Sequence, residues 1–137
     1  MINCNFNETF EYHDLDGCKV VILDVTIKNK CILKTKLAFK VISGEGVSKE
    51  ILEHYQHYID YEGNSDAYIC TNCPINGEIE SPFANPFVLN GYETKRGELI
   101  IVLDKSKNIK LQIVKDGKNL WERRILFHFE NKKIEII

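Results

Sequence analysis

The sequence has no apolar run of about 18 residues, the length that a transmembrane helix needs, and no large excess of either charge. Its 18 lysines and arginines against 20 aspartates and glutamates give a formal net charge of −2. This balance provides no general attraction for nucleic acid. The first ten residues, MINCNFNETF, have neither the basic nor the apolar region of a signal peptide. We therefore expect a cytoplasmic protein with no membrane partner.

Cysteine and proline are few, and the motifs of common enzyme families are missing. The five cysteines are an odd number, and Cys4, Cys18 and Cys31 lie singly in or beside apolar runs, so a disulfide framework is not indicated. The chain has no G-x-S-x-G elbow, P-loop, dinucleotide-binding fingerprint or kinase signature. All three prolines and four of the eight glycines fall within residues 63–98, which predicts a long irregular segment.

The chain is rich in the residue alternation that is typical of β-strands. Residues 31–42 alternate apolar side chains with lysines, while residues 19–28 are apolar at nearly every position, as in a strand covered at least in part on both faces. Asp116-Gly117 lies between two alternating runs and predicts a hairpin turn. We expect one domain, residues 1–137, that is mainly β: an antiparallel β-sandwich or open barrel of about eight strands.

A single helix is predicted over residues 48–61, packed against the sheet. Ser48 can act as the N-cap, and the apolar side chains that follow recur at helical spacing along one stripe. Gly63 and Asn64 provide residues suited to end the helix.

Four potential metal ligands fall in two close pairs. His54 and His57 are followed, after twelve residues, by Cys70 and Cys73. Two imidazoles and two thiolates are a ligand set that suits a structural Zn²⁺, the one cofactor that the sequence suggests. The alternative is that the histidines are solvated and the thiols are simply buried. A redox pair is disfavoured because Pro74 and Gly77 do not begin a helix after the cysteines.

Two groups of residues are candidates for contact with a partner. Lysines project from one face of the strand predicted over residues 31–42, and they either bind an acidic partner or protect a sheet edge from aggregation. Aromatic residues in the segment 63–98 either contact a partner or close the open end of the core. The candidate partner-binding residues are Lys34, Lys36, Lys40, Phe83, Phe87 and Tyr92.

These features favour a small non-enzymatic module that binds or inhibits another protein through a sheet face or the 63–98 segment, with or without structural zinc. No catalytic constellation supports an enzyme, and nucleic acid is not the expected partner. The alternative is an enzyme or small-ligand receptor whose pocket, between helix and sheet, is lined by His13, His54, Tyr58 and Tyr68. A third reading is an oligomer joined through Ile134, Ile136 and Ile137 as an added strand. The oligomeric state is left open.

Overall fold

A computed structural model of the chain describes residues 1–15, 17–43, 59–60, 68–71, 73–74, 79–83, 86–103 and 107–137. These residues are all-β and contain no helix, so none of them belongs to a helix that could cross a membrane. Nine of the ten strands have three or more residues. The strands are β1 (Ile2–Leu15), β2 (Cys18–Asn29), β3 (Thr35–Ser43), β4 (Ile59–Asp60), β5 (Tyr68–Cys70), β6 (Phe87–Leu89), β7 (Thr94–Leu103), β8 (Asn108–Lys115), β9 (Lys118–His128) and β10 (Lys133–Ile136).

The strands form one antiparallel sheet in the order β4-β5-β7-β2-β1-β10-β9-β8-β3-β6. The sheet is strongly curled but open, and β3, near one end of this order, contacts β5, near the other. Twist accumulates between neighbouring long strands, so a wide sheet curls and brings its ends together. The predicted all-β architecture is confirmed. The described strands form this single curled sheet and not the two stacked sheets of a sandwich.

The inner face of the curled sheet carries the main core. In β2 the inward residues Val21, Leu23, Val25 and Ile27 are all 0% exposed. On the far side of the core, Phe39 packs against the rings of Phe83 and Phe87 at centroid distances of 5.4 and 5.5 Å. A second aromatic group joins β1 to β9 and the turn that follows it: Phe10, Tyr12, Phe127 and Phe129.

The outer face is apolar over one half and polar over the other. A second buried cluster covers the outward side of β2, β5 and β7: Leu15, Cys18, Val20, Ile22, Cys70, Cys73, Ile100 and Val102. Farther along β2 the outward residues become polar, and Arg96 forms a two-point ion pair with Asp24 at 2.7 and 3.1 Å. These hydrogen bonds from Arg96 lower the pKa of Asp24. The predicted covering of both faces thus holds for the first half of β2 only.

The predicted Asp116-Gly117 turn is confirmed, because both residues have positive φ angles, 50° and 77°. This conformation matches the twist of the paired strands in a two-residue hairpin. One predicted boundary is corrected. The strand predicted over residues 31–42 begins only at Thr35. The preceding residues are held in a loop by the side chain of Asn29, as described below.

The helix predicted over residues 48–61 is wrong at Ile59 and Asp60. These two residues form β4 and pair with Cys70 and Ile69 of β5. Pairing with a neighbouring strand satisfies their backbone groups, and such tertiary pairing overrides a helical pattern of side chains. Residues 48–58 and 61 lie outside the described residues.

The buried positions of Phe83 and Phe87, at 0% and 5% exposed, lead to a stability test. Replacing either residue by alanine should lower the free energy of unfolding by about 3–5 kcal/mol, the usual loss for a core phenylalanine. Tyr92→Ala is the control and should cost less than about 1 kcal/mol, because its ring is 60% exposed. Urea unfolding followed by the fluorescence of Trp121 measures all three. Similar small losses of unfolding free energy for all three variants would contradict the core positions of Phe83 and Phe87.

Candidate functional site

Large apolar side chains are exposed at one end of the sheet, where the β2–β3 and β6–β7 connections meet. Seven large hydrophobic residues are strongly exposed in the described part of the chain, and five of them lie at this end. We call these five the loop-end patch: Met1 (84% exposed), Ile32 (74%), Leu33 (74%), Tyr92 (60%) and Leu120 (50%). A grouped apolar surface of this kind on a folded protein commonly marks a binding site.

Asn29, the last residue of β2, organises the loop-end patch. Its side chain is 1% exposed, and among the described residues it is the one polar side chain in the buried class. The side-chain amide donates to the carbonyl oxygens of Leu33, at 2.8 Å, and Asn90, at 3.0 Å. Its Oδ1 accepts a hydrogen bond from the backbone N–H of Cys31 at 3.0 Å. One buried amide therefore fixes both connections that carry the patch.

Backbone contacts hold the two connections against each other. The Tyr92 N–H donates to the Cys31 carbonyl at 2.9 Å. A Cβ atom on Gly91 would lie 1.9 Å from the carbonyl oxygen of Ile32, so the close approach of the two chains requires glycine here. Tyr92 itself adopts a positive φ of 59°, which is uncommon for a residue with a side chain.

The N-terminal residue and the β8–β9 hairpin extend the patch. The Lys30 N–H donates to the Met1 carbonyl at 2.8 Å, which places Met1 beside the β2–β3 connection. A mostly apolar pocket of about 140 Å³ lies between these segments. Its lining residues are Met1, Ile2, Asn29, Cys31, Leu33, Lys34, Thr35, Lys115 and Leu120.

Lysines surround the loop-end patch. Lys34 and Lys115 line its pocket, Lys30 adjoins Met1, and Lys118 lies opposite Lys115 in the β8–β9 hairpin. All four are exposed. Within the described ranges none of them forms an ion pair with a carboxylate. The same end also carries the carboxylates of Asp116, in the hairpin turn, and of Glu93, next to Tyr92. Four lysines against these two carboxylates leave the rim with a local positive excess, although the whole chain has a formal net charge of −2.

The candidate partner-binding residues are divided between this surface and the core. Tyr92 and Lys34 lie together at the loop end, and Lys36 is exposed just beyond it on the outer face of β3. Lys40 is half-buried farther along that face. The remaining two, Phe83 and Phe87, lie in the core. This position fits the alternative role that we considered for them, closure of the open end of the core. It leaves no side-chain surface for a partner.

Sequence reasoning missed Ile32, Leu33, Met1 and Leu120. The alternating pattern continues without a break through residues 31–42, so Leu33 was expected to face the core of a strand. The only local signal was Asn29-Lys30 at the end of an apolar run, which predicts a turn. That signal does not reveal that the Asn29 side chain is buried and keeps residues 31–34 out of the strand.

Two of the four predicted zinc ligands are described. Cys70 and Cys73 are each 0% exposed and lie in the outer apolar cluster together with Cys18. Burial and the neighbouring Cys73 raise the pKa of the Cys70 thiol. His54 and His57 lie outside the described residues. Among the described side chains, no group of three or more histidine, cysteine, aspartate or glutamate residues is placed to hold a metal ion.

The pocket predicted between helix and sheet rests mainly on residues outside the described ranges. His54 and Tyr58 belong to those residues, Tyr68 is in β5, and His13 is exposed on β1. Elsewhere, Cys4 lines a cleft beside β1, and burial raises the pKa of its thiol to about 12, an effect that Arg123 partly opposes. A thiol with so high a pKa is not a nucleophile at neutral pH.

No protein-family model, curated protein or solved structure matches this chain.

Proposed function

We propose that this protein is a small non-enzymatic module that binds, and thereby can inhibit, another protein through the loop-end patch. The observation that carries the proposal is the grouping of five exposed apolar side chains on connections that one buried amide, Asn29, holds in place. Exposing this apolar area has no benefit for folding. Contact with a partner would remove it from water, which is favourable by about 25 cal/mol per Å².

The ordered connections favour binding because little conformational freedom is left to lose. Hydrogen bonds from Asn29, Tyr92 and Lys30 already fix the backbone on which the patch is built. A surface that is ordered before contact avoids much of the entropy cost of association. Tyr92 adds a large ring with few rotatable bonds, a property common among residues that dominate binding energy.

The charges at the rim indicate the chemistry of the partner. Lys30, Lys34, Lys115 and Lys118 surround an apolar centre and lack carboxylate partners in the described part of the chain. A partner surface with apolar side chains at its centre and aspartate or glutamate at its edge would complement this arrangement. Such rim charges mainly raise the association rate and make it depend on ionic strength.

A displayed library of random peptides can test this proposal. Selection on the wild-type chain should enrich peptides that combine apolar residues with flanking carboxylates. The variant Leu33→Ser/Tyr92→Ser should bind the enriched peptides at least about tenfold more weakly, the loss expected when two central apolar contacts are removed. Ile137→Ser is the control, because it removes an exposed apolar side chain that lies outside the loop-end patch.

The result would also depend on salt. Raising the ionic strength should slow association with the wild-type chain, and Lys34→Glu should slow it further at low salt. Enriched peptides that bind Leu33→Ser/Tyr92→Ser as tightly as the wild-type chain would contradict the proposal. So would a failure to enrich any peptide that binds the patch.

We further propose that the same domain carries a structural zinc held by Cys70 and Cys73, with His54 and His57 as the other ligands. The proposal is supported by two thiols from one C-x-x-C that are buried side by side next to β5. Zinc would hold both sulfurs as thiolates, a form that the apolar surroundings alone do not stabilise. Its role would be to fix the chain that follows β5.

Metal analysis of protein purified without a histidine tag tests the zinc site. We expect about one zinc per chain, as a single closed four-ligand site requires. Cys73→Ser should abolish it, and Cys31→Ser, which changes a thiol at the loop end, should retain it. Zinc-free wild-type protein, with Cys70 alkylated equally fast with and without chelator, would refute the site.

A further inference from the structure

Strands β1 and β10 are neighbours in the sheet but pair at a single position. Thr9 lies opposite Lys133. Continuation of the same antiparallel register would place residues 5–8 opposite residues 134–137, yet the ladder between the two strands stops after this pair. Residues 2–6 of β1 nevertheless remain paired with β2, and residues 133–136 of β10 with β9. The sheet therefore has a split at its middle.

A bulge in β1 explains the split. Phe6 lies opposite Val25 of β2, while Phe10 lies opposite Leu23, so three residues of β1 face a single residue of β2. The Asn7 side chain stabilises this bulge by accepting hydrogen bonds from the N–H and the hydroxyl of Thr9, both at 3.2 Å. A bulge bends the strand that carries it. The bend directs the first half of β1 away from β10.

The split contains a cleft of about 290 Å³. One wall is the first half of β1, the other is β10, and Arg123 of β9 lies beside it. Its lining residues are Asn3, Cys4, Asn5, Phe6, Glu8, Arg123, Ile134 and Ile136. We call this cleft the β1–β10 slot.

Backbone groups on the β1 side point into the β1–β10 slot. The Lys30 N–H donates to the Met1 carbonyl, so the backbone groups of Met1 point towards β2. Successive residues of a strand point to opposite neighbours, and the register with β2 is continuous from Ile2 to Phe6. Hence Ile2, Cys4 and Phe6 direct their N–H and carbonyl groups away from β2 and into the slot.

The same alternation applies to β10. The Ile137 N–H donates to the Arg124 carbonyl of β9 at 2.9 Å. The backbone N–H and carbonyl groups of the odd-numbered residues of β10 therefore point towards β9. The even-numbered residues point towards β1, as shown by the Lys132 carbonyl, which accepts a hydrogen bond from Phe10. Ile134 and Ile136 therefore direct their backbone groups towards β1. Thr9 and Lys133 form a non-hydrogen-bonded pair, whose flanking bonds run from the Phe10 N–H to the Lys132 carbonyl and from the Ile134 N–H to the Glu8 carbonyl. Beyond this pair, the backbone groups of Ile136 point into the slot and have no strand partner within the described residues.

We propose that the β1–β10 slot accepts an extended segment of a partner polypeptide, which joins the sheet as a strand between β1 and β10. Both of the segment's edges would be hydrogen-bonded, as happens when a strand inserts within a sheet instead of adding to its edge. Its inward side chains would contact Phe6 and Ile134, and would cover Ile136, which is 46% exposed. Arg123 pairs with the buried Leu111 and therefore projects from the inner face of the sheet, so it favours a carboxylate on the inward side of the segment.

A folded second copy of the chain does not fit this slot with any described strand. An inserted strand must have both edges free, and every described strand already uses at least one edge within its own sheet. The occupant is therefore a segment that is unpaired before it binds. This proposal is independent of the loop-end patch, since the two surfaces share no exposed side chain.

Amide hydrogen exchange of the isolated chain gives the first test. The amides of Cys4, Phe6 and Ile136 should exchange much faster than those of Asn5 and Glu135, which donate to β2 and β9. Equal protection of all amides along β1 and β10 would show that the slot is closed or already filled by the chain itself. Either result would overturn the proposal.

A peptide of sequence acetyl-Ser-Val-Ser-Asp-Ser-Val-Ser-amide is the probe for the second test. Its valines favour an extended strand, and its aspartate, on the same side as the valines, can face Arg123. Titration followed by amide chemical shifts should move the signals of Cys4, Phe6, Ile134 and Ile136. The matched control has the same side chains with N-methylated valines, which cannot donate hydrogen bonds, and it should bind at least about tenfold more weakly.

Three outcomes of this titration would overturn the proposal. They are the absence of binding at millimolar peptide, equal binding of the N-methylated control, and shifts confined to the loop-end patch. The variant Leu33→Ser should bind the probe as the wild-type chain does, so a failure of the slot is distinguishable from a failure of the loop-end patch.

Discussion

The buried amide of Asn29 is the interaction on which the exposed end of this protein depends. An amide that is withdrawn from water must have its donors and its acceptor satisfied by the protein. Asn29 meets this requirement with the backbone of residues 31 and 33 on one side and residue 90 on the other. The same bonds stop β3 from beginning before Thr35 and keep apolar side chains in solvent. The hydrogen bonds that satisfy the Asn29 side chain thus create the surface that we propose for binding.

The rest of the fold follows from a single sheet that must bury its own apolar face. Curling brings β3 and β5 into contact and encloses a core of aliphatic and aromatic side chains. The curl is not uniform, because the bulge in β1 separates β1 from β10 after one pair. The two candidate surfaces therefore arise from the two places where regular strand pairing stops: the connections at the loop end and the split in the middle of the sheet.

Much of the fold could be predicted from the sequence, because strand periodicity and turn residues are local signals. The Asp116-Gly117 hairpin and the lysine face of β3 are examples. The loop-end patch could not be predicted, since Leu33 fits the alternating pattern of a strand. The role of Asn29 depends on its hydrogen bond to the carbonyl of Asn90, a residue far away in the sequence. Phe83 and Phe87 show a choice that the sequence left open: rings in a segment rich in proline and glycine could either contact a partner or close the core. The structure packs both on Phe39 in the core.

Amide exchange at Cys31 and Tyr92 tests most directly whether Asn29 orders the loop-end patch. Both amides are hydrogen-bonded, the first to the Asn29 side chain and the second to the Cys31 carbonyl. Both should be protected in the wild-type chain, and in Asn29→Ala both should exchange at the rate of an open loop while the amide of Leu23 in β2 stays protected. If both amides remained protected in Asn29→Ala, or exchanged freely in the wild-type chain, Asn29 would not be what orders this surface.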